Sequence, residues 1–284
     1  MTAFDTAALD LDAYLSRIGH AGPVAADLPT LQSIALRHPS AIPFENLNAL
    51  LRRPVPLDIA SLQQKMLQDG RGGWCFEHNV LLGTALRAIG FDVTGLGARV
   101  LWGVPAGVAT ARSHMVLRVE LNGQTLIVDA GFGGLTLTAP LRLTADVEQQ
   151  TPHETFRLVA AEHGYFVLEA HIGGEWRPMY RFDRQPQVLA DYEVSSWFLC
   201  TNPRSHFLTT LVAARAQPDR RYTLRNTDFA THFAGGYTER RALTSAAELR
   251  ETLERTFGIN VPADAEVDAV LARISEIAAQ PAQG

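Results

Sequence analysis

The chain is poor in lysine and cysteine. Across 284 residues Lys65 is the one lysine, and every other basic residue is arginine. That skew reads as compositional bias and is given no functional weight. Two cysteines, Cys75 and Cys200, are too few for a disulfide scaffold and suit a reducing, cytoplasmic compartment. No apolar run approaches the roughly 18–20 residues that span a bilayer, so no membrane association is expected. The start, Met1-Thr2-Ala3-Phe4-Asp5, lacks a basic region followed by an apolar one, which argues against an export signal. Positive charge is not in excess either. A net charge of −5 argues against a nucleic-acid partner. There is no internal repeat and no low-complexity linker. What remains is an ordinary globular composition, 46% hydrophobic and 19% charged, with enough chain for two or three packed subdomains.

The first ninety residues have helical spacing. Asp5 to Ile18 carries apolar residues on one face. Asp27 and Pro29 read as an N-cap and an early-turn proline before Leu31 and Ile34. Asp58 caps Ile59 to Gln68, which Gly70 closes, and a further helix runs from Cys75 to Gly90. From about Phe91 the period turns towards two. Strands are expected at Ala98–Trp102, Met115–Glu120, Thr125–Val128, Thr155–Val159, Tyr165–Ala170 and Trp176–Phe182, a small antiparallel barrel or sandwich. A third region begins near Asp191. It has an apolar stretch from Val194 to Cys200, a strand from Arg221 to Thr227, a helix opened by the capping box Ser245 to Glu248, and a final helix from about Ala263 to Ala279.

The chemistry concentrates around Cys75, in Arg71-Gly72-Gly73-Trp74-Cys75-Phe76-Glu77-His78-Asn79. Two glycines break the backbone before it and an apolar helical pattern follows. A thiol at a helix N-terminus meets unpaired N–H groups and the positive end of the dipole, which favour thiolate. Such a nucleophile needs a base, and the base needs an orienting partner. His78 lies on the same helix and reads as a local packing or hydrogen-bonding residue.

His114 is the better base for a geometric reason. Asn122-Gly123 between two alternating runs is a hairpin turn, so paired residues sum to 245: Leu121 faces Gln124 and His114 faces Gly131. Asp129 is then diagonal to His114 on the same sheet face, within reach of an imidazole. Cys75, His114 and Asp129 thus suggest cysteine-dependent acyl transfer or hydrolysis. Cys200 has no glycine break before it and reads as a buried residue.

These residues also match a known family. The Cys75 segment resembles the nucleophile motif of the arylamine N-acetyltransferases, and Pro43-Phe44-Glu45-Asn46-Leu47 resembles that family's PFENL segment. Ser113-His114, Val128-Asp129-Ala130-Gly131-Phe132-Gly133-Gly134 and Ser205-His206-Phe207 resemble further blocks, in order along nearly the whole chain. Trp74, Ser113 and Ala130 stand where tyrosine, threonine and valine are common.

The resemblance implies an α+β fold with a cysteine-protease-like Cys-His-Asp core. Its parts would be a helical bundle (1–92) carrying the nucleophile, an antiparallel β-barrel (93–190) carrying His114 and Asp129, and an α/β lid (191–284). It implies ping-pong transfer of acetyl from acetyl-CoA, through acetyl-Cys75, to arylamines, arylhydrazines or heterocyclic amines, with no metal. Phe44, Phe132 and Phe207 are expected to line the acceptor pocket. Gly131, Gly133, Gly134 and His232 are expected near CoA. A thiol hydrolase or transglutaminase-like enzyme is the alternative for the same Cys-His-Asp order.

Overall fold

The computed structural model describes residues 4–105 and 107–279. Its elements follow chemistry legible in the chain. Helix α1 (Leu11–Arg17) starts later than the apolar spacing suggested, because the Asp10 carboxylate accepts from Ala13 N–H and caps it there. Asp27 caps α2 (Leu28–Ala41) through Thr30 N–H, with a proline in the first turn. Strand β1 (Phe44–Glu45) and the short α3 (Leu47–Leu50) follow. Asp58 caps α4 (Ile59–Gln63), which continues as a π-turn over Gln64–Gln68. Helix α5 (Cys75–Ile89) ends on Gly90 at φ 110°. Every residue of α5 from Cys75 to Leu86 is buried, the polar Glu77, His78, Asn79 and Thr84 included.

The second region is one antiparallel sheet of eight strands: β2 (Asp92–Val100), β3 (His114–Leu121), β4 (Gln124–Val128), β5 (Leu141–Arg142), β6 (Glu148–Gln150), β7 (Thr155–Ala160), β8 (Phe166–Ile172) and β9 (Glu175–Pro186). Their order, β5-β4-β3-β2-β9-β8-β7-β6, leaves β5 and β6 as edges. The Gln149 amide spans the gap, accepting from Arg142 N–H at 2.7 Å and donating to Arg142 O at 2.9 Å. The sheet is therefore a nearly closed barrel. The β3–β4 register is the expected one, with Leu121 opposite Gln124 and Leu117 opposite Val128. Asn122 and Gly123 both have positive φ, 50° and 76°, the type I′ turn. Along β3, Met115, Leu117 and Val119 join the core that contains α5, while Val116 faces the barrel interior.

Helix α6 (Leu189–Thr201) leads into a second sheet: β10 (Val212–Gln217), β11 (Arg220–Arg225), β12 (Asp228–Phe233) and β13 (Thr238–Ala242). One strand was expected here and four are found. Arg240 and Arg241 of β13 are exposed, and β10 is mostly alanine and polar residues, so neither carries an apolar alternation. The sheet's edge is β1, pairing Phe44 with Ala214 and Glu45 with Ala213. Helix α7 (Ala246–Glu251), with the expected Ser245–Glu248 cap, and α8 (Ala265–Ala279) cover it.

The bundle contains a buried polar chain. Tyr14 O–H donates to His38 Nδ1 (2.9 Å), His38 Nε2 to His78 Nδ1 (2.9 Å), and His78 Nε2 to Pro43 O (3.1 Å). A carbonyl only accepts, so each tautomer along the chain is fixed and both imidazoles are neutral. Burial pushes His78 down to about 4 and, with the neighbouring His78 and Arg17, drives His38 well below its ordinary value. A histidine depressed on folding contributes stability above its unfolded pKa and loses it as pH falls towards the folded one. The thermal midpoint should therefore fall between pH 6.5 and 4, with His78 alone contributing on the order of 3 kcal/mol. The Tyr14→Phe/His38→Leu double variant should show a flatter profile; an equally steep one would refute the assignment.

Candidate active site

Cys75 is the first residue of α5 and His114 the first of β3, while Asp129 directly follows β4. The order bundle, barrel, hairpin thus converges on one point. Trp74 precedes α5 without a side-chain cap of its own. Instead Glu77 reaches back, its Oε2 accepting from Trp74 N–H at 3.0 Å. The Cys75 thiol lies 3.7 Å from Ser113 O and is 7% exposed.

His114 Nε2 lies 2.7 Å from Asp129 Oδ2. That leaves Nδ1 as the ring nitrogen for Cys75, whose side chain interacts with the ring. Burial opposes charge on His114, but the Asp129 carboxylate outweighs it, and Cys75 adds to the rise; His114 is pushed up to about 10. The carboxylate thus favours the protonated ring. Burial alone would raise Asp129, but the charge on His114 and hydrogen bonds from His114, Asn79 and Gly131 hold it below the usual carboxylate range.

The supporting residues were less visible in the sequence. Asn79, one turn along α5 from Cys75, donates to Asp129 Oδ1 (2.9 Å) and to Met115 O (2.7 Å), and its Oδ1 accepts from Ala130 N–H (3.1 Å). It fixes both barrel strands to α5. Gly131 N–H gives Asp129 Oδ1 a second donor at 2.8 Å. A Cβ on Gly131 would stand 2.6 Å from Cys75 Cα, so only glycine allows this approach. The motif spacing singled out Asn79 as a letter, but nothing in it showed the three partners.

The loop after Asp129 folds back through Thr136, whose hydroxyl donates to Asp129 O (2.8 Å) and accepts from Phe132 N–H (3.2 Å). Arg221 of β11 donates to Thr136 O (2.9 Å) and grips Glu154 of the barrel at 2.6–3.0 Å. This joins the second sheet to the loop that carries Phe132, Gly133 and Gly134.

The expected pocket residues fall into two aromatic groups. Phe44 lies 6.5 Å from Phe207, ring to ring, and Trp74 stacks edge-on to Phe207 at 5.4 Å. Asn46 ties this group together, donating to Phe207 O and Thr210 O and accepting from Val212 N–H. Phe132 meets His114 edge-on at 5.3 Å, and Tyr180 lies 4.9 Å from the same imidazole. Gly133, at φ 77°, lies against the Phe44 ring and so links the groups. A cavity of about 230 Å³ reaches His114 from the side of α6, lined by Gly97, Arg112, Gln187, Asp191, Tyr192 and Ser195. Phe44, Phe132 and Phe207 are not among its walls. His232 sits between two hydroxyls, Thr223 (3.1 Å) and Thr238 (3.0 Å), and Thr223 in turn adjoins Gly134. Cys200 is half-buried rather than buried, and burial pushes its thiol up to about 11. Among the described residues no helix is long and apolar enough to cross a membrane, and no cluster of three or more His, Cys, Asp or Glu could hold a metal.

A helical bundle and a nearly closed barrel that meet at a buried thiol, imidazole and carboxylate place the chain in a defined class, the N-acetyltransferases, whose family model matches residues 27–266. The chain belongs to the arylamine N-acetyltransferase family. It is 43% identical over 275 residues to the arylamine N-acetyltransferase of Mycolicibacterium smegmatis, covering 95% of this chain and 98% of that one. The arylamine N-acetyltransferase / N-hydroxyarylamine O-acetyltransferase of Salmonella typhimurium is 38% identical, covering 92% and 95%. The structure of the Mycobacterium marinum arylamine N-acetyltransferase in complex with CoA superimposes with a TM-score of 0.89 at 39% identity, covering 93% of this chain and 99% of that one.

Proposed function

We propose that this protein is an arylamine N-acetyltransferase that moves an acetyl group from acetyl-CoA to an aromatic amine through acetyl-Cys75. The observation that carries the reading is the 2.7 Å contact of His114 Nε2 with a carboxylate, which leaves Nδ1 for the thiol of a helix-opening cysteine. Cys75 is the nucleophile, His114 the base and Asp129 the partner that holds the imidazolium, the cysteine-protease-like core expected from the sequence. The Cys75 sulfur attacks the acetyl carbonyl, its proton resting on His114. Collapse of the tetrahedral adduct breaks the bond to the CoA sulfur, which takes that proton from His114. The acceptor amine then attacks the thioester, its proton passes to His114, and Cys75 is released.

The glycines of the Phe132 loop suit close approach of a phosphate-bearing donor, and Gly131, Gly133 and Gly134 are assigned to CoA, with His232 behind Thr223. Phe44, Phe132 and Phe207 are assigned to the aryl ring of the acceptor, an arylhydrazine or heterocyclic amine included. The three-part division at 92 and 190 fits this scheme, and Phe44–Glu45 of the first part lends an edge strand to the third part's sheet. Two free cysteines suit a reducing cytoplasm.

Intact mass after incubation with acetyl-CoA should show one acetyl adduct, absent in Cys75→Ala and retained in Cys200→Ala. Absence of both adduct and CoA release in the unaltered protein would exclude the reading. Acylation by a peptide or isopeptide donor instead would favour a thiol hydrolase or transglutaminase-like enzyme.

A further inference from the structure

The one lysine of the chain lies beside the nucleophile helix. Lys65 Nζ is 2.7 Å from Glu77 Oε1 and 3.8 Å from Glu45 Oε1, with its side chain 13% exposed. Glu77 is the residue whose other oxygen caps α5 at Trp74 N–H, two positions from Cys75. It is 2% exposed. A buried carboxylate is costly without a counter-ion. Arg71 does not supply one, since its Nε and Nη2 are both spent on Glu45 Oε1 at 3.0 and 2.6 Å. Glu45 also takes Leu47 N–H at 2.6 Å. Lys65 is thus the cation placed to balance Glu77.

We propose that Lys65 is a positioning residue for Cys75: paired with Glu77, it neutralises the carboxylate that caps the nucleophile helix and so lets the thiol beside it carry negative charge. The proposal rests on the reading of Cys75 as nucleophile.

The charged and titratable groups around Glu77 are Lys65, Glu45, Arg71, Asp69, His78 and Cys200, from β1, the π-turn and the loop after it, α5 and α6. Of these, only Lys65 and Arg71 are cations. Without Lys65, Glu77 has two courses. Left charged, it opposes a second negative charge on the same helix turn, where the dipole would otherwise favour one. Protonated, it becomes a weaker acceptor for Trp74 N–H, and the first turn loosens around Cys75. Both weaken the thiolate.

Compactness explains lysine here in a chain that otherwise uses arginine. A point charge on a flexible stem reaches two carboxylates at once, where a planar guanidinium would compete with the Arg71 fork. A cavity of about 430 Å³ runs past Lys65, Arg71 and Glu77 towards Asn48 and Asp69, so the ammonium keeps some hydration.

The test compares the unaltered protein, Lys65→Met and Lys65→Met/Glu77→Gln by rate of Cys75 alkylation against pH, rate of acetyl adduct formation, and thermal midpoint. Lys65→Met should move the acid limb of the alkylation profile up by about one pH unit or more, with adduct formation at neutral pH slowed about tenfold. The double variant should recover most of both, because the glutamine carbonyl still accepts from Trp74 N–H without the charge. Lys65→Gln gives the same comparison should the methionine variant not fold. A lower midpoint with an unmoved profile would make Lys65 merely structural and overturn the proposal, as would a double variant no faster than Lys65→Met. Failure of the unaltered protein to form the adduct is a separate result and sinks the Cys75 reading instead.

Discussion

Asp129→Asn is expected to lower kcat/KM by about 10³–10⁴-fold with little loss of thermal stability. The size of the effect follows from which atoms surround the side chain. Oδ1 of Asp129 accepts from Asn79 Nδ2 and Gly131 N–H, while Oδ2 accepts from His114 Nε2. An asparagine amide has one acceptor oxygen and one donor nitrogen. Turning its oxygen to the two N–H donors leaves its NH₂ facing His114; the reverse orientation sets that NH₂ against two donors. The first orientation wins, and Nε2 must then accept rather than donate. The imidazole is forced into the tautomer with hydrogen on Nδ1, which cannot take the Cys75 proton, and the imidazolium loses the carboxylate that holds it up to about 10. Single-turnover acetylation should fall as far as steady-state turnover. Near-normal acetylation with slow acceptor transfer would mean that Asp129 serves a later step.

Arg221→Met should destabilise the protein by about 3 kcal/mol, read from urea or thermal unfolding. Arg221 is 2% exposed and makes three contacts with Glu154 and one with Thr136 O. Its removal leaves Glu154, whose side chain is 19% exposed, without a counter-ion and frees the loop that Thr136 closes. Adding Glu154→Leu should restore much of the stability, since the cost lies in an unpaired charge rather than in a missing attraction. The restored variant should still bind CoA and acceptor more weakly, because Thr136 O no longer fastens the Phe132 loop to β11. An Arg221→Met variant as stable as the unaltered protein would show that solvent reaches Glu154 freely.

Much of the candidate site was legible because its determinants are local. Gly72, Gly73 and the apolar spacing after Phe76 mark a helix start, and Cys75 is the first residue of α5. The Asn122-Gly123 turn fixes the register of β3 and β4, and with it the shared face of His114 and Asp129. Less legible was the second sheet, because β13 is mostly exposed polar residues and β10 mostly alanine and polar ones, so neither presents the apolar alternation that marks a strand. The late start of α1 was missed because apolar spacing continues through residues that Asp10 excludes from the helix.

The sequence by itself determined the candidate nucleophile, its likeness to one enzyme family, the hairpin that pairs His114 with Asp129, and the progression from helices to barrel to a mixed third part. Only the tertiary structure decided that Nε2, not Nδ1, of His114 meets the carboxylate. It alone showed that Asn79 binds Asp129 from 50 residues away, that Asn46 holds Thr210 across 164, and that Arg221 reaches Glu154 across 67. It also turned the chain's scarcest charged residue, Lys65, from a compositional oddity into the counter-ion of Glu77. The physical reason is the same throughout. Backbone periodicity and turn geometry act over a few residues and can be read in order, whereas a buried hydrogen bond or ion pair exists only once distant segments have been brought together and water has been excluded.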